Sequence, residues 1–206
     1  MKQMLAICAV CTASTTLADQ LEPYRVPCNA SQIAAVQAAT ATARDVLKAA
    51  DAALPPINST TGQAFQTWFG GPEGDSDPVL KDLYSDLKTR MVFTQYWCPP
   101  PASFGKIQRH PGVFAWVPKT SQTEVFLEQR FFDSATTGVD SQAGTLIHEL
   151  FHNSTVADFK DTDHDGDGNK DYGVANAKIL AGKNAALARR TADNVQYFAE
   201  DIFWGI

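Results

Sequence analysis

The segment HELFH, from His148 to His152, constrains the fold more than any other part of this chain. On an α-helix, side chains four residues apart lie on one face, a turn apart. A helix here would present His148 and His152 to one cation, with Glu149 beside them. This spacing is typical of a zinc site in which the glutamate acts as a general base toward water. The alternative is a chance match on an ordinary amphipathic helix.

An acidic segment, residues 161–171, follows this predicted helix and reads D-x-D-x-D-G-x-x-D from position 163 onward. Carboxylates at alternate positions beside a glycine supply the oxygen ligands and the sharp turn that calcium loops use. We therefore expect Asp163, Asp165, Asp167 and Asp171 to bind calcium. The alternative is a solvated acidic loop without an ion.

The first 18 residues have the features of a secretory signal: a basic Lys2, a short apolar run and small residues before Ala18. We expect a cut after Ala18 and a mature chain, residues 19–206, that is one secreted domain and a monomer. The apolar run is shorter than the roughly 20 residues of a membrane helix. Removing the signal moves the formal charge from −6 to −7. This acidic balance argues against nucleic acid or an anionic membrane as partner.

The same cut leaves two cysteines, Cys28 and Cys98, which in an oxidising compartment predict one disulfide. Two free thiols are the alternative. Glycosylation sequons at Asn29 and Asn58 predict surface glycans. A third sequon, at Asn153, directly follows the HELFH helix, where a glycan would crowd the cleft. Of the three sequons, Asn153 is therefore the least favoured for a glycan.

Periodicity divides the chain into helices, then short strands, then helices again. With 206 residues, 44% hydrophobic and 19% charged, the chain has enough apolar content for one core. Apolar spacing predicts helices over residues 31–54, with Ser31 as the cap, 63–69, 77–91, and from 141 onward. β-Branched and aromatic runs predict strands within 91–98, 112–117 and 123–132. This segregation indicates an α+β fold with a small sheet, and 124–132 is a candidate edge for an extended peptide.

The blocks VFLEQRFFDSATTGVDSQAGTLIHELFH, YGVANAKILA and TADNVQYFAEDIF resemble the aspzincins. These are the deuterolysin and peptidyl-lysine metalloendopeptidase family of secreted, mainly fungal proteases. The resemblance covers roughly residues 125–203 and implies a zincin-like metalloprotease domain around the HExxH helix. It also implies a third zinc ligand, an aspartate in a G-T-x-D-x-x-Y-G motif. This chain keeps Tyr172-Gly173 but has Asn169 three positions before the tyrosine, and it lacks the Gly-Thr pair.

The resemblance therefore leaves a choice of third ligand. If the calcium loop is inserted between the family aspartate and Tyr172, the ligand lies upstream of the loop. Asp161 is preferred because it leaves all four calcium carboxylates free, Asp163 is second, and Asp171 is third. His164 could compete for zinc, but we expect it to face solvent. Tyr172 resembles the family tyrosine that assists the oxyanion, and a tyrosine packed under the helix is the alternative.

The late block, residues 191–203, predicts a core-packing helix. Its Asp193 and Asn194 could support the histidines from behind, although we expect them on a solvated face. The sequence thus predicts a secreted zinc endopeptidase acting on protein or peptide substrates, with Zn²⁺ and also Ca²⁺ as cations. The alternative is a non-catalytic zinc-binding protein that keeps the fold. A further possibility is that calcium controls activity by ordering the loop that carries Asp161.

Overall fold

A computed structural model describes residues 24–54, 59–71, 78–99, 112–118, 123–153, 161–163, 166–168 and 170–206. The predicted signal sequence, Asn58, His164 and Asp165 lie outside these residues. The helices are α1 (Ala30–Ala53), α2 (Ser59–Phe69), α3 (Pro78–Arg90), α4 (Gln129–Asp133), α5 (Gln142–His152), α6 (Val174–Lys183), α7 (Ala185–Ala188) and α8 (Ala192–Trp204). The strands are β1 (Gln95–Trp97), β2 (Ala115–Trp116) and β3 (Glu124–Leu127). No helix in this described part is long and apolar enough to cross a membrane.

Helix α1 begins one residue earlier than expected, because Asn29 rather than Ser31 caps it. The Asn29 side chain accepts a hydrogen bond from the backbone N–H of Gln32, and the Gln32 side chain accepts one from the backbone N–H of Asn29. This reciprocal pair satisfies two N–H groups that the helix itself cannot. The Ser31 hydroxyl instead donates to the Asn29 side chain. The prediction that Ser31 is the cap was therefore wrong.

The three strands form one sheet in the order β1-β3-β2. Strand β3 pairs in parallel with β1 and antiparallel with β2, so it is the central strand. All four of its residues are buried, as a strand covered on both faces requires. The prediction that 124–132 is an edge for a peptide was wrong, because both sides of β3 are already paired and the chain turns into α4 at Gln129.

The core lies where α5 packs against α1 and α8. Aromatic rings of α2 and α8 form its centre, with Phe65 and Phe69 both in contact with Phe198. Tyr84 of α3 packs against Phe151 of α5, and its hydroxyl donates to the carbonyl of Val195. Each fully buried aromatic of this kind stabilises the fold by about 1.5–3 kcal/mol. The helix that carries the two histidines is therefore held on two sides, and the predicted α+β class is confirmed.

The segment before α1 is fastened to the sheet. Cys28 and Cys98 form the predicted disulfide, and Val26 pairs with Cys98 as an isolated antiparallel bridge. Arg25 donates two hydrogen bonds to the buried carboxylate of Glu124 on β3, at 2.8 and 3.0 Å. The Trp97 indole N–H also donates to Glu124. These contacts connect the N-terminal segment to the central strand.

Candidate active site

Helix α5 brings His148 and His152 together, as their spacing predicts. Ser141 caps the helix by accepting a hydrogen bond from the backbone N–H of Gly144. Nine of the eleven residues of α5 are buried, and the two that are partly exposed are the histidines. Their ring centroids are 4.9 Å apart, and their Nε2 atoms are separated by 3.1 Å.

Asp161 completes a cluster of three potential metal ligands. Its Oδ1 lies 3.3 Å from His148 Nε2 and 3.2 Å from His152 Nε2. Among the described residues, this is the group of His, Cys, Asp or Glu side chains that could hold a metal ion. Of the three aspartates considered from the sequence, Asp161 is therefore the one that the fold brings to the histidines. Asp163 and Asp171 do not join the cluster.

The three atoms fit zinc by both chemistry and spacing. Two neutral imidazole nitrogens and one carboxylate oxygen are common zinc ligands. Ligand bonds of about 2.0–2.2 Å in a tetrahedral site place the ligand atoms about 3.3–3.6 Å from one another. The observed separations of 3.1, 3.2 and 3.3 Å are close to that range. Three protein ligands also leave a fourth position for water or substrate, as catalytic zinc sites do.

Asp193 supports His148 from behind, which was the less favoured of its two predicted roles. Its Oδ1 lies 3.0 Å from His148 Nδ1, and its Oδ2 accepts a hydrogen bond from the backbone N–H of Gly173 at 2.7 Å. The prediction of a solvated face was wrong, because Asp193 is 5% exposed and Asn194 is fully buried. Asn194 does not contact the histidines and instead donates to the carbonyls of Trp68 and Ala177.

The polar pattern of α8 could have indicated this contact. Within α8, Asp193, Gln196 and Glu200 recur at helical spacing and are all buried. Polar groups rarely occupy buried positions without partners. Such a stripe predicts polar partners on the neighbouring helix, although the sequence does not say which helix that is.

The charges of the cluster shift its proton affinities. Burial opposes protonation of His148, but hydrogen bonds with Asp161 and Asp193 outweigh burial and raise the pKa of His148 well above its usual value. Burial also opposes ionisation of Asp161, yet its hydrogen bonds with the two histidines hold the pKa of Asp161 far below its usual range. The pKa of Glu149 is raised by burial, which the positive charges of the histidines only partly offset.

Tyr172 contacts the cluster despite its distance along the chain. Its hydroxyl donates to Asp161 Oδ2 at 2.8 Å, and its ring centroid lies 6.3 Å from that of His148. The alternative of a tyrosine packed under the helix is not observed, because the residue is 55% exposed. Burial of the hydroxyl and the charge of Asp161 raise the pKa of Tyr172, so the phenol keeps its proton.

The two ends of the segment between Asp161 and Tyr172 are in contact. The backbone N–H of Asp171 donates to the carbonyl of Thr162, and Lys170 Nζ donates to the carbonyl of Asp161. Asp161 and Tyr172 are therefore 11 positions apart in the sequence but in direct contact.

Asp163 has a structural role within this loop. Its two carboxylate oxygens accept the backbone N–H groups of Gly166 and Gly168 at 2.7 and 2.8 Å. Since Asp165 lies outside the described residues, calcium binding by this loop stays a prediction. Glycosylation of Asn29, which is exposed, also stays a prediction. Asn153 is 2% exposed, and its ranking as the least favoured of the three sequons stays a prediction.

Comparison with known proteins agrees with this geometry. The family model for aspzincins, described as lysine-specific metallo-endopeptidase, matches residues 57–200. An extracellular protease of Aeromonas hydrophila is 32% identical over 168 residues, covering 76% of this chain and 44% of the relative. A peptidyl-Lys metalloendopeptidase of Grifola frondosa is 31% identical over 174 residues, covering 84% of this chain and 45% of the relative. A peptidyl-Lys metalloendopeptidase of Pleurotus ostreatus is 30% identical over 178 residues, covering 85% of this chain and 95% of the relative.

A solved structure has the same fold. The zinc peptidase from Grifola frondosa superposes with a TM-score of 0.69 at 28% identity, covering 84% of this chain and 97% of that one. The chain spans less than half the length of the first relatives it matches, 44% and 45%. The family match nevertheless covers well over half of this chain and includes every residue of the histidine–aspartate cluster. The chain therefore belongs to the aspzincin family.

Proposed function

We propose that this chain is a secreted zinc endopeptidase that hydrolyses peptide bonds in protein or peptide substrates. The observation that carries the proposal is the convergence of His148 Nε2, His152 Nε2 and Asp161 Oδ1 within hydrogen-bonding distance of one another. Relatives described as an extracellular protease and as peptidyl-Lys metalloendopeptidases support the same activity. The geometry favours Asp161 over Asp163 as the third ligand.

His148, His152 and Asp161 would hold the zinc ion. When bound, zinc supplies a Lewis acid that lowers the pKa of water to about 7 and polarises a carbonyl group. Asp193 keeps the His148 ring oriented by accepting the hydrogen of its Nδ1, which leaves Nε2 with a lone pair for the cation.

Glu149 would serve as the general base. It follows His148 directly on α5 and is 7% exposed, and the charges of both histidines act on its carboxylate. Because burial raises its pKa, Glu149 can accept a proton from water and later release it to the leaving amine. A fully solvated glutamate would be a weaker base for this purpose.

Tyr172 would donate a hydrogen bond to the carbonyl oxygen as negative charge develops there. Its phenol keeps its proton and already lies 2.8 Å from Asp161 Oδ2, at the margin of the cluster. A donor aimed at developing charge lowers the barrier of the reaction. Because the Tyr172 side chain is exposed, it can contact a substrate without any change in the core.

Secretion rests on two observations besides the predicted signal. The Cys28–Cys98 disulfide is typical of an oxidising compartment, and one relative is described as an extracellular protease. Sequencing the N-terminus of the exported protein tests this part. We expect it to begin at Asp19, and retention of residues 1–18 would contradict it.

The activity is tested with Glu149→Gln, which keeps the size and polarity of the side chain but removes the base. The matched control is Glu128→Gln. Glu128 is also buried, but it accepts a hydrogen bond from the indole N–H of Trp116 and is not part of the cluster. Zinc content, and cleavage of casein and of a lysine-containing peptide, are measured for the wild type and both variants. Because general-base catalysis contributes about 10²–10⁴-fold, we expect kcat of Glu149→Gln to fall by that factor with one zinc retained.

Three outcomes decide the proposal. Loss of cleavage in Glu149→Gln alone, with zinc retained in all three proteins, supports it. A wild type that binds zinc and cleaves neither substrate would establish the non-catalytic zinc-binding alternative. Full activity in Glu149→Gln would contradict the assignment of the base.

A further inference from the structure

A buried polar seam joins the HExxH helix to α8. The two helices run antiparallel, with Asp193 of α8 beside His148 and Glu200 of α8 beside Ser141. We call this contact the polar seam; it consists of Ser141, Gly144 and His148 on one side and Asp193, Gln196 and Glu200 on the other. Its Asp193 end belongs to the zinc cluster. Its Glu200 end lies at the start of α5, two turns away, and the proposed reaction does not use it.

Glu200 accepts hydrogen bonds from the N-terminal end of α5. Its Oε1 accepts the backbone N–H of Ser141 at 3.2 Å and the Ser141 hydroxyl at 2.9 Å. Its Oε2 accepts the backbone N–H of Asp140 at 3.3 Å and the Gln196 amide at 3.3 Å. Glu200 is fully buried, and every one of these groups is a donor. The arrangement therefore suits an ionised carboxylate, which accepts hydrogen bonds and donates none.

Gly144 allows the two helices to approach this closely. A Cβ atom at position 144 would lie 1.9 Å from Glu200 Oε1 and 2.9 Å from the Gln196 amide nitrogen. Any larger residue would push the Glu200 carboxylate away from Ser141. The glutamate and the glycine thus set the distance between α5 and α8 at this end of the seam.

The turn before α5 is fixed by the same helix. Asp140 has a left-handed φ of 52°, a strained backbone conformation for a residue other than glycine. The Tyr197 hydroxyl donates to Asp140 Oδ1 at 2.7 Å, while the backbone N–H of Asp140 donates to Glu200. Two residues of α8 therefore hold a strained residue directly before the helix that carries the histidines.

Burial opposes the charge of Glu200, whereas its hydrogen-bond donors favour it. Burial, together with the charge of Asp140, raises the pKa of Glu200 to about 7, although hydrogen bonds from Ser141 and Gln196 lower it. Asp140, in the preceding turn, and Tyr197, on α8 itself, are titratable groups that interact with Glu200. Because the folded-state pKa is raised, ionising Glu200 reduces stability as the pH rises from about 4.5 toward 7.

We propose that Glu200 is a positioning residue for the zinc cluster, which fixes the N-terminal end of α5 against α8 and thereby aligns His148 with Asp193. The inference rests on the proposed zinc site, and it assigns a role to a residue that touches neither metal nor substrate. Glu200 acts through Ser141 at one end of α5, and His148 responds two turns later on the same helix face. A rigid helix transmits such a displacement because its backbone hydrogen bonds resist bending.

The test uses Glu200→Gln. This substitution replaces one carboxylate oxygen by an NH₂ group, which then faces hydrogen-bond donors instead of acceptors. The matched control is Asp201→Asn, because Asp201 is the next residue of α8 but accepts from Trp68 of α2 rather than from α5. Ser141→Ala is a second variant; it removes the hydroxyl that donates to Glu200 and that also caps α5. Zinc dissociation constants, kcat, KM and Tm are measured at pH 8.5, where wild-type Glu200 is ionised.

We expect Glu200→Gln to weaken zinc binding about tenfold, within the range for residues that orient metal ligands. kcat should fall by a similar factor with KM within about twofold, because the substrate-binding surface is unchanged. Ser141→Ala should change both in the same direction by a smaller factor, and Asp201→Asn should match the wild type. If Glu200→Gln does not fold, Ser141→Ala carries the test.

A merely structural role would lower Tm while leaving zinc affinity and kcat of the folded variants at wild-type values, and that result would overturn the proposal. If the wild type cleaves nothing, the proposed function fails, but the ratio of zinc affinities still tests the positioning role. Equal losses in Asp201→Asn would also contradict it, since they would reflect loss of charge on α8 rather than contact with α5.

Discussion

Replacing Asp193 by asparagine tests how the cluster is supported. The carboxylate accepts from two donors at once, His148 Nδ1 at 3.0 Å and the backbone N–H of Gly173 at 2.7 Å. An asparagine in the same place offers one oxygen and one NH₂ group. It can therefore satisfy His148 or Gly173, but the other donor then faces a second donor in a buried position.

The size of the effect follows from this loss. A buried donor left unsatisfied costs about 1–3 kcal/mol. If the loss falls on His148, its ring is free to rotate or to change tautomer, and metal affinity decreases by about 10–100-fold. A factor of ten corresponds to about 1.4 kcal/mol, so the two estimates agree. We therefore expect Asp193→Asn to raise the zinc dissociation constant by about 10–100-fold.

The assay is competition for zinc between the protein and a chelator of known affinity, at fixed pH. Asp201→Asn is the control, because it makes the same chemical change on the same helix while contacting Trp68 instead of His148. Thermal unfolding of the metal-free proteins shows whether Asp193→Asn also loosens the fold. A zinc dissociation constant within twofold of the wild type would refute the claim that Asp193 orients His148.

Three further predictions follow from individual contacts. Tyr172→Phe removes the hydroxyl but keeps the ring, so kcat should fall by about 10²-fold with little change in KM, as for other lost oxyanion donors; an unchanged kcat would remove Tyr172 from the reaction. Gly144→Ala places a methyl group 1.9 Å from Glu200 Oε1. Overpacking of this kind destabilises the folded state by about 1–3 kcal/mol, which lowers the urea concentration at the midpoint of unfolding. An unchanged midpoint would contradict the close approach of α5 and α8. Calcium titration by calorimetry, at fixed zinc, should show binding to the wild type and weaker binding to Asp163→Asn. If neither protein gives a heat of binding, the acidic segment is a solvated loop without an ion. If activity and Tm are unchanged when calcium is removed, calcium does not control the activity.

Local features of this site could be read from the sequence, because they depend on spacing along one helix. The four-residue separation of His148 and His152 fixes both rings on one face wherever the helix packs. The identity of the third ligand could not be decided in the same way. Asp161 and Asp163 are two residues apart, and the choice depends on how the loop closes beneath Tyr172.

Long-range contacts account for what the sequence did not predict. Strand β3 had the composition of any short strand, and only its pairing with both neighbours makes it central rather than an edge. Asp193 lies 45 positions after His148, and its burial follows from the docking of α8 on α5. The position of the Glu200 carboxylate likewise depends on Gly144 of α5, where a side chain would collide with it. These contacts are set by tertiary packing, which local pattern does not specify.

A crystal of the zinc-loaded protein, measured on both sides of the zinc absorption edge, tests the central claim most directly. We expect one anomalous peak bound by His148 Nε2, His152 Nε2 and Asp161 Oδ1, with bond lengths of about 2.0–2.2 Å. A peak coordinated by Asp163 or Asp171 in place of Asp161, or no peak between the two histidine rings, would contradict the account.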